Sequence, residues 1–240
     1  MMKSRIGFSY VLILWLGLWG LRAQAGTISG VVHFDGKPRP EQLLNMSSDP
    51  YCESCHAKPV PDEMFVHGKG ENGKHPLANI FVYVKSGAPK GPHSVPTAPL
   101  VITREGCLFS PHVVGVRVGQ PVLFQNNDTI VLNVHCVSRH SPAFTHALKA
   151  GQSSPAYTFL APEVMAKVKS DDHRWERAFV GAVDHPFFQV TGTNGTFSIS
   201  GLPDGAYVIE TWQELLGARS TKVTVLDGKG TANVTYTTRR

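Results

Sequence analysis

The chain has 240 residues, of which 42% are hydrophobic and 17% charged, with four cysteines and a formal net charge of +5 at pH 7. This length is enough for one or two domains that each bury a core. No basic stripe or run of mixed basic and aromatic residues occurs, which argues against nucleic-acid binding.

The first 25 residues have the pattern of an export signal. Lys3 and Arg5 precede an apolar run over 11–21, and Ala23-Gln24-Ala25 has the small-x-small pattern that signal peptidase requires. The apolar run is shorter than the ~20 residues that a membrane-spanning helix needs. We therefore predict a cleaved signal peptide over 1–25, no membrane span after cleavage, and a periplasmic or secreted location.

This leader changes both the charge and the expected redox state of the remaining chain. It holds three of the 23 basic residues and none of the 18 acidic ones, so the net charge after cleavage falls to +2. All four cysteines, Cys52, Cys55, Cys107 and Cys136, follow the leader. An oxidising compartment favours disulfides, and the residues alone leave all three pairings open.

Short apolar or alternating runs, separated by Gly, Pro, Asn and Asp, follow one another to the end of the chain. The predicted strands cover 27–34, 80–84, 100–103, 113–118, 122–125, 130–137, 156–159, 164–168, 178–183, 196–200, 206–211, 222–226 and 232–236. Helical periodicity is limited to single turns at 163–169 and 213–216. Many short strands with turn signals between them predict an all-β sandwich or barrel. Segments 51–75 and 87–99 are predicted to be long surface loops.

The last strands have the sharpest pattern. Residues 193–199 and 202–209 form a strand–turn–strand with Asn-Gly and Pro-Asp-Gly turns. This pattern resembles the transthyretin-like carboxypeptidase-regulatory domain, whose usual opening matches Gly26 to Pro38. The resemblance implies one sandwich split by an insertion, with its first part and long loops in 26–97 and its remainder in 187–240.

The middle segment, 98–186, has a second resemblance. Val118-Gly119-Gln120-Pro121-Val122, followed by Asn126, Asp128 and a histidine-bearing strand, resembles a cupredoxin. Further motifs occur in the order in which a known family has them. Through these motifs the chain after the leader resembles the cupredoxin-like, plastocyanin-related proteins often labelled methylamine-utilisation proteins. The matching segments are 49–56, 106–113, 133–135, 171–175 and 184–188. The resemblance implies a cupredoxin-like domain over 98–186.

The copper ligands that this resemblance implies are mostly replaced. Its two imidazoles fall on Leu132 and His173, its thiolate on Ser170 and its thioether on Glu176. Blue copper needs two imidazoles and a thiolate, and a serine hydroxyl is a poor substitute, so we do not expect type 1 copper. A weak non-blue metal site at His135, His173 and Glu176 is an alternative, although one sequence does not show that these donors converge.

The segment Cys52-Glu53-Ser54-Cys55-His56 has the C-x-x-C-H pattern of covalent haem attachment. The family resemblance instead implies a Cys52–Cys107 disulfide, and Cys55 and Cys136 would then supply a second one. We favour two disulfides and no cofactor, with haem c bound through Cys52, Cys55 and His56 as the alternative.

Enzyme motifs are not found, since neither G-x-S-x-G nor H-E-x-x-H occurs. The sequence therefore predicts an exported, non-enzymatic, cupredoxin-like protein with a degenerate copper site. Its expected role is binding or electron transfer beside an unidentified protein partner, for which a redox protein is the candidate. A mono-haem electron carrier and a weak non-blue metal binder are the two alternative functions.

Overall fold

A computed structural model describes residues 25–238, so the predicted signal peptide over 1–25 lies outside the described residues except for Ala25. The predicted all-β fold is confirmed. The strands are β1 (Gly26–Asp35), β2 (Lys74–Pro76), β3 (Phe81–Ser86), β4 (Leu100–Glu105), β5 (Leu108–Ser110), β6 (Val113–Arg117), β7 (Pro121–Asn126), β8 (Leu132–Val137), β9 (Phe144–Leu148), β10 (Tyr157–Thr158), β11 (Glu163–Ser170), β12 (Arg177–Val183), β13 (Phe188–Val190), β14 (Thr196–Leu202), β15 (Gly205–Gln213), β16 (Gly217–Val225), β17 (Lys229–Thr231) and β18 (Val234–Thr237).

The described residues also contain two short helices. The α-helix α1 spans Pro50–Ser54, and a 3-10 helix spans Glu63–Phe65. Neither helix is long and apolar enough to cross a membrane, and the same holds for every helix within 25–238.

Strands from both ends of the chain build one sandwich, which we call the outer sandwich. One of its sheets has β1 at the centre, paired with β2, β14, β17 and β18, and the other has the order β13-β3-β15-β16. Between them lies a continuous apolar core that includes Ile28, Phe34, Ile80, Ile209 and Tyr236. The core is made by alternation, because inward residues of β1 are buried while their neighbours are not.

The strands between β3 and β13 build a second sandwich, which we call the central sandwich. Its sheets have the orders β10-β7-β4-β5 and β6-β12-β11-β8-β9. A separate apolar core fills it, with Ile102, Phe124, Leu132, Phe159 and Val168 among its fully or nearly fully buried members. The two sandwiches thus have their own cores.

Strand β12 explains how the two sandwiches meet. Six of its seven residues are buried, which is typical of a strand covered on both faces. Ala178, Val180 and Ala182 face the central core, whereas Phe179 and Val183 pack against Phe81 of the outer sandwich. A Cβ on the intervening Gly181 would lie 2.5 Å from the Phe81 ring, so the close approach requires glycine there.

The sequence prediction missed five strands, including the five-residue β9, which no predicted strand covers. Strands β2, β5, β13 and β17 have three residues each, too few for alternation to show. Helix α1 was also missed, although Asp49 before Pro50 is a typical N-cap and first-turn pair. The proposed helical turn at 163–169 is wrong, because that segment is strand β11, whereas 214–216 does form a turn.

Candidate functional site

An arginine without any solvent exposure lies at one end of the central sandwich. The Arg104 guanidinium binds Glu176 Oε1 through Nε at 3.1 Å and Nη2 at 2.8 Å, and its Nη1 lies 3.1 Å from Asp128 Oδ2. Asn126 Oδ1 lies 3.4 Å from Nη1. A buried charge is tolerated only when it is paired and hydrogen-bonded, and here one cation is shared by two carboxylates.

The same arginine touches a disulfide. Cys52, on α1, and Cys107, in the turn between β4 and β5, are bonded and completely buried, so the predicted Cys52–Cys107 disulfide is confirmed. Arg104 Nη2 lies 3.2 Å from Cys107 Sγ. Asp128 holds the turn by accepting hydrogen bonds from the backbone N–H groups of Gly106 and Cys107, at 2.7 and 2.8 Å.

His173 closes this arrangement from the loop between β11 and β12. Its Nδ1 lies 2.8 Å from Glu176 Oε1, and its Nε2 lies 3.0 Å from Asp49 Oδ2. The Trp175 indole stacks on the imidazole, with ring centroids 4.7 Å apart and planes 19° apart. We call Arg104, Asp128, His173, Glu176 and the Cys52–Cys107 disulfide the polar centre.

Asp49 both caps helix α1 and contacts His173. Its Oδ1 accepts the backbone N–H groups of Tyr51 and Cys52, which caps the helix. The hydrogen bond from the Cys52 N–H lowers the pKa of Asp49 below its ordinary value, and contacts with His173 and Tyr51 lower it further against the opposing effect of desolvation. The carboxylate therefore stabilises the helix start and fixes one imidazole nitrogen.

The predicted Cys55–Cys136 disulfide is wrong. Cys55 is exposed at the end of α1, and Cys136 is buried; both thiols are free. Alternation along β8 turns Cys136 into the central core beside Val134, away from α1. Burial, with a contribution from Glu163, raises the pKa of Cys136 to about 12, so this thiol is inert in the folded protein.

The haem alternative does not fit the geometry. Attachment needs both sulfurs of the C-x-x-C-H segment, and Cys52 uses its sulfur in the disulfide. His56 Nε2 lies 2.7 Å from the Gly106 carbonyl oxygen, so this imidazole fastens α1 to the turn that carries Cys107. With Cys52 in the disulfide, the C-x-x-C-H segment lacks the second free sulfur that covalent haem attachment needs.

The predicted metal trio of His135, His173 and Glu176 is only partly brought together. His135 lies on the opposite face of β8 from Val134 and Cys136, and its Nδ1 contacts Asp171 at 3.3 Å. His173 and Glu176 converge instead with Cys52 and Cys107, and the donor atoms of these four side chains lie within 4.8 Å of one another. All four are buried.

The donors also do not fit type 1 copper. Ser170 Oγ accepts the backbone N–H groups of Asp172 and His173, at 3.1 and 3.3 Å, so the hydroxyl shapes the loop. Leu132 is buried in the central core. Glu176 is paired with Arg104, which places a permanent positive charge beside the position of the thioether. The thiolate and one imidazole are absent from these positions.

A cavity of about 880 Å³ lies beside the polar centre. Its walls include Leu44, Met64, Phe109, His112, Trp175 and Arg177. Arg177 is neutralised by Asp62 and Glu214, at 2.6 and 2.8 Å, and His112 Nε2 lies 2.9 Å from Glu214. The cavity therefore offers apolar and aromatic surface in which the charge of Arg177 is already paired.

One glycine-rich segment has the spacing of a dinucleotide-binding motif but not its context. Residues 68–73 read G-x-G-x-x-G, and that motif requires a preceding strand and a following helix. Here the segment leads into a turn and then into β2, so no helix N-terminus is available for a phosphate.

Sequence reasoning missed Arg104 and Asp128 although one signal was present. Arg104 lies two residues after Ile102 and one residue beyond the predicted strand 100–103; because β4 continues to Glu105, alternation directs both side chains inward. A charged residue at an inward position indicates a buried partner, but its partners lie 24 and 72 residues further along the chain. Their identity required the fold.

No protein-family model matches the chain, and no curated protein matches it. Among solved structures, the chain is similar to a copper-containing nitrite reductase from Thermus scotoductus SA-01, at 19% identity and a TM-score of 0.33. That match covers 40% of this chain and 25% of the reductase, so the chain spans about a quarter of the reductase's length.

Two small cupredoxins are matched over nearly their whole length. Amicyanin from Paracoccus versutus is 19% identical with a TM-score of 0.32, and the match covers 42% of this chain and 97% of amicyanin. A purple cupredoxin from Nitrosopumilus maritimus is 19% identical with a TM-score of 0.30, over 36% of this chain and 99% of that chain.

We predict that Arg104→Met destabilises the protein by about 3–5 kcal/mol, because Glu176 and Asp128 are left as buried charges without their cation. Urea unfolding followed by circular dichroism measures the loss. Arg139→Met, at an exposed arginine, is the matched control and is expected to change stability by less than about 0.5 kcal/mol. Equal effects of the two substitutions would contradict the ion-pair assignment.

We predict that Asp49→Ala lowers the free energy of unfolding by about 1 kcal/mol at pH 7, as expected for the loss of an N-cap. Because the folded-state pKa of Asp49 is depressed, its ionic contribution is complete above the ordinary aspartate pKa of about 3.9 and is lost as pH falls through the folded value. The difference between wild type and variant should therefore shrink below about pH 4.

Asp49→Asn is the control for this pH dependence, because asparagine still caps a helix but carries no charge. It should cost less than alanine at pH 7. A wild-type-minus-alanine difference that is the same at pH 7 and well below pH 4 would show that the Asp49 charge does not contribute.

Proposed function

We propose that this chain is an exported, non-enzymatic, cupredoxin-like protein whose blue-copper site has been replaced by a buried ion-pair centre. The observation that carries the proposal is the Arg104 guanidinium bound to Glu176 and Asp128, where the family resemblance implies a copper ligand at position 176. The Arg104 guanidinium stabilises the carboxylates of Glu176 and Asp128 by its positive charge, without a metal. The ion pairs of Arg104 with Glu176 and Asp128 do not themselves transfer electrons.

The role proposed for this scaffold is binding, as an accessory to a protein partner in the periplasm or outside the cell. The cavity beside the polar centre supports this role, because apolar and aromatic side chains make up much of its lining. Trp175 links the two features, since its ring lines the cavity, stacks on His173 and donates from Nε1 to the Cys107 carbonyl at 3.2 Å.

Copper addition tests the loss of the blue site. The oxidised protein with one equivalent of Cu(II) should show no intense thiolate-to-copper charge-transfer band, because Ser170 offers no thiolate. Leu132→His with Ser170→Cys restores two imidazoles and a thiolate at the positions implied by the resemblance, and this double variant should gain the band. An intensely coloured wild type that bleaches on reduction would overturn the proposal.

Probe binding tests the cavity. Val60→Trp fills cavity volume and should weaken the binding of anilinonaphthalene sulfonate, an aromatic fluorescent probe, by about tenfold or more, equivalent to about 1.4 kcal/mol of contact. Leu160→Trp, at an exposed position that does not line the cavity, is the matched control. Unchanged probe fluorescence in Val60→Trp would show that the cavity is not a binding site.

A further inference from the structure

The polar centre contains a donor set that shares His173 and Glu176 with the copper-ligand positions implied by the resemblance but takes its two sulfurs from Cys52 and Cys107. Cys52 comes from α1, Cys107 from the turn after β4, and His173 and Glu176 from the loop before β12. Their Sγ, Nδ1 or Nε2 and carboxylate atoms lie within 4.8 Å of one another. Tetrahedral zinc bound at 2.0–2.3 Å separates its ligands by about 3.3–3.8 Å, so the two bonded sulfurs and the His173–Glu176 pair would have to move apart while the most distant donors approach.

The imidazole is already oriented as a metal ligand would be. Asp49 Oδ2 holds Nε2 of His173 at 3.0 Å, and Nδ1 then faces Glu176 and the Cys52 sulfur, at 2.8 and 3.9 Å. A carboxylate on the outer ring nitrogen is the usual support of a metal-bound histidine, because it fixes both the tautomer and the ring plane. Stacking by Trp175 further restricts the ring.

A buried oxygen of Glu176 is a second observation that favours a ligand at this site. Its Oε1 contacts Arg104 and His173, but its Oε2 is buried and has no hydrogen-bond partner within the described residues. A buried carboxylate oxygen without a partner is costly, and such groups call for an explanation such as an ion.

The disulfide keeps this set from acting as a metal site, because thiolates and not disulfide sulfurs are the metal ligands. Reduction by a dithiol would give two thiols on this chain and one disulfide on the reductant, and binding a divalent cation would release the two thiol protons. Arg104, 3.2 Å from Cys107 Sγ, favours the thiolate form there. In the reduced, metal-bound form, four negative groups would surround the positive charges of Arg104 and one divalent cation. These groups are the two thiolates and the carboxylates of Glu176 and Asp128.

We propose that reduction of the Cys52–Cys107 disulfide converts the polar centre into a zinc site with Cys52, Cys107, His173 and Glu176 as its ligands. Two sulfurs, one nitrogen and one oxygen suit a borderline-soft divalent cation in a tetrahedral site. Cysteine oxidation state thereby controls metal binding. This inference goes beyond the proposed function and does not depend on the cavity or on the identity of a partner.

Co²⁺ is the spectroscopic probe for the experiment, with Zn²⁺ as its competitor. The purified protein is reduced with a phosphine, which takes oxygen from water and leaves two thiols, and the phosphine is then removed under argon. We expect one Co²⁺ per reduced chain, with thiolate charge-transfer bands that disappear when Zn²⁺ is added. The oxidised protein should show neither the bands nor stoichiometric binding.

Three variants separate this site from others on the chain. Cys55→Ser is the matched control, because it removes the exposed thiol of the C-x-x-C segment and leaves all four ligands in place. His173→Gln should weaken Co²⁺ binding at least about tenfold, and Asp49→Asn, which acts through His173, about 10–100-fold. Urea unfolding of each oxidised variant establishes that it folds before metal is added.

Several outcomes would overturn the proposal. These are a reduced protein that binds no Co²⁺, equal binding before and after reduction, and loss of the bands in Cys55→Ser, which would place the metal on the C-x-x-C segment. If the reduced chain is unfolded without metal, Zn²⁺ must restore its near-ultraviolet circular dichroism, and failure to do so counts against the site. The copper experiment uses oxidised protein, so the two proposals fail separately.

Discussion

The pairing of one buried cation with two carboxylates determines how the irregular segments of this protein are arranged. Arg104 has no access to water, and its charge is compensated by Glu176 and Asp128, which come from different connections of the central sandwich. Asp128 in turn holds the turn that carries Cys107, and the disulfide from that turn fixes α1. The long loop that contains α1 is thus attached to the central sandwich mainly by the Cys52–Cys107 disulfide and by contacts between charged groups such as Asp49 and His173, and less by strand pairing.

The local rules of strand formation account for most of the fold. Alternation and turn residues were sufficient to predict most strands, whereas four three-residue strands, the five-residue β9 and the five-residue α1 were not recognised. The polar centre was harder to predict from the sequence, because the residues that contact Arg104 are distant from it along the chain. The Cys52–Cys107 pair followed from a family resemblance. The Cys55–Cys136 pair was inferred from number alone, and the inward position of Cys136 in an alternating strand argues against it.

The polar centre also shows that one retained ligand residue does not preserve the chemistry implied for a site. His173 remains in the position that the resemblance assigns to a copper ligand, yet its two nitrogens face the carboxylates of Asp49 and Glu176. With Ser170 shaping the loop and Leu132 packed in the core, the same backbone supports hydrogen bonds and an ion pair instead of a trigonal metal plane. A fold alone therefore says little about which of these chemistries operates, and the individual donors decide.

The position of the central sandwich within the chain has a consequence for folding. Strands β3 and β13 are antiparallel neighbours, with Tyr83 opposite Phe188, yet the whole central sandwich lies between them in sequence. The insertion thus occupies the place of a hairpin turn. Bringing its two ends together has an entropic cost that depends on the length of the open loop. A formed central sandwich holds those ends close through its own strands, so pairing of β3 with β13 then closes a much shorter effective loop.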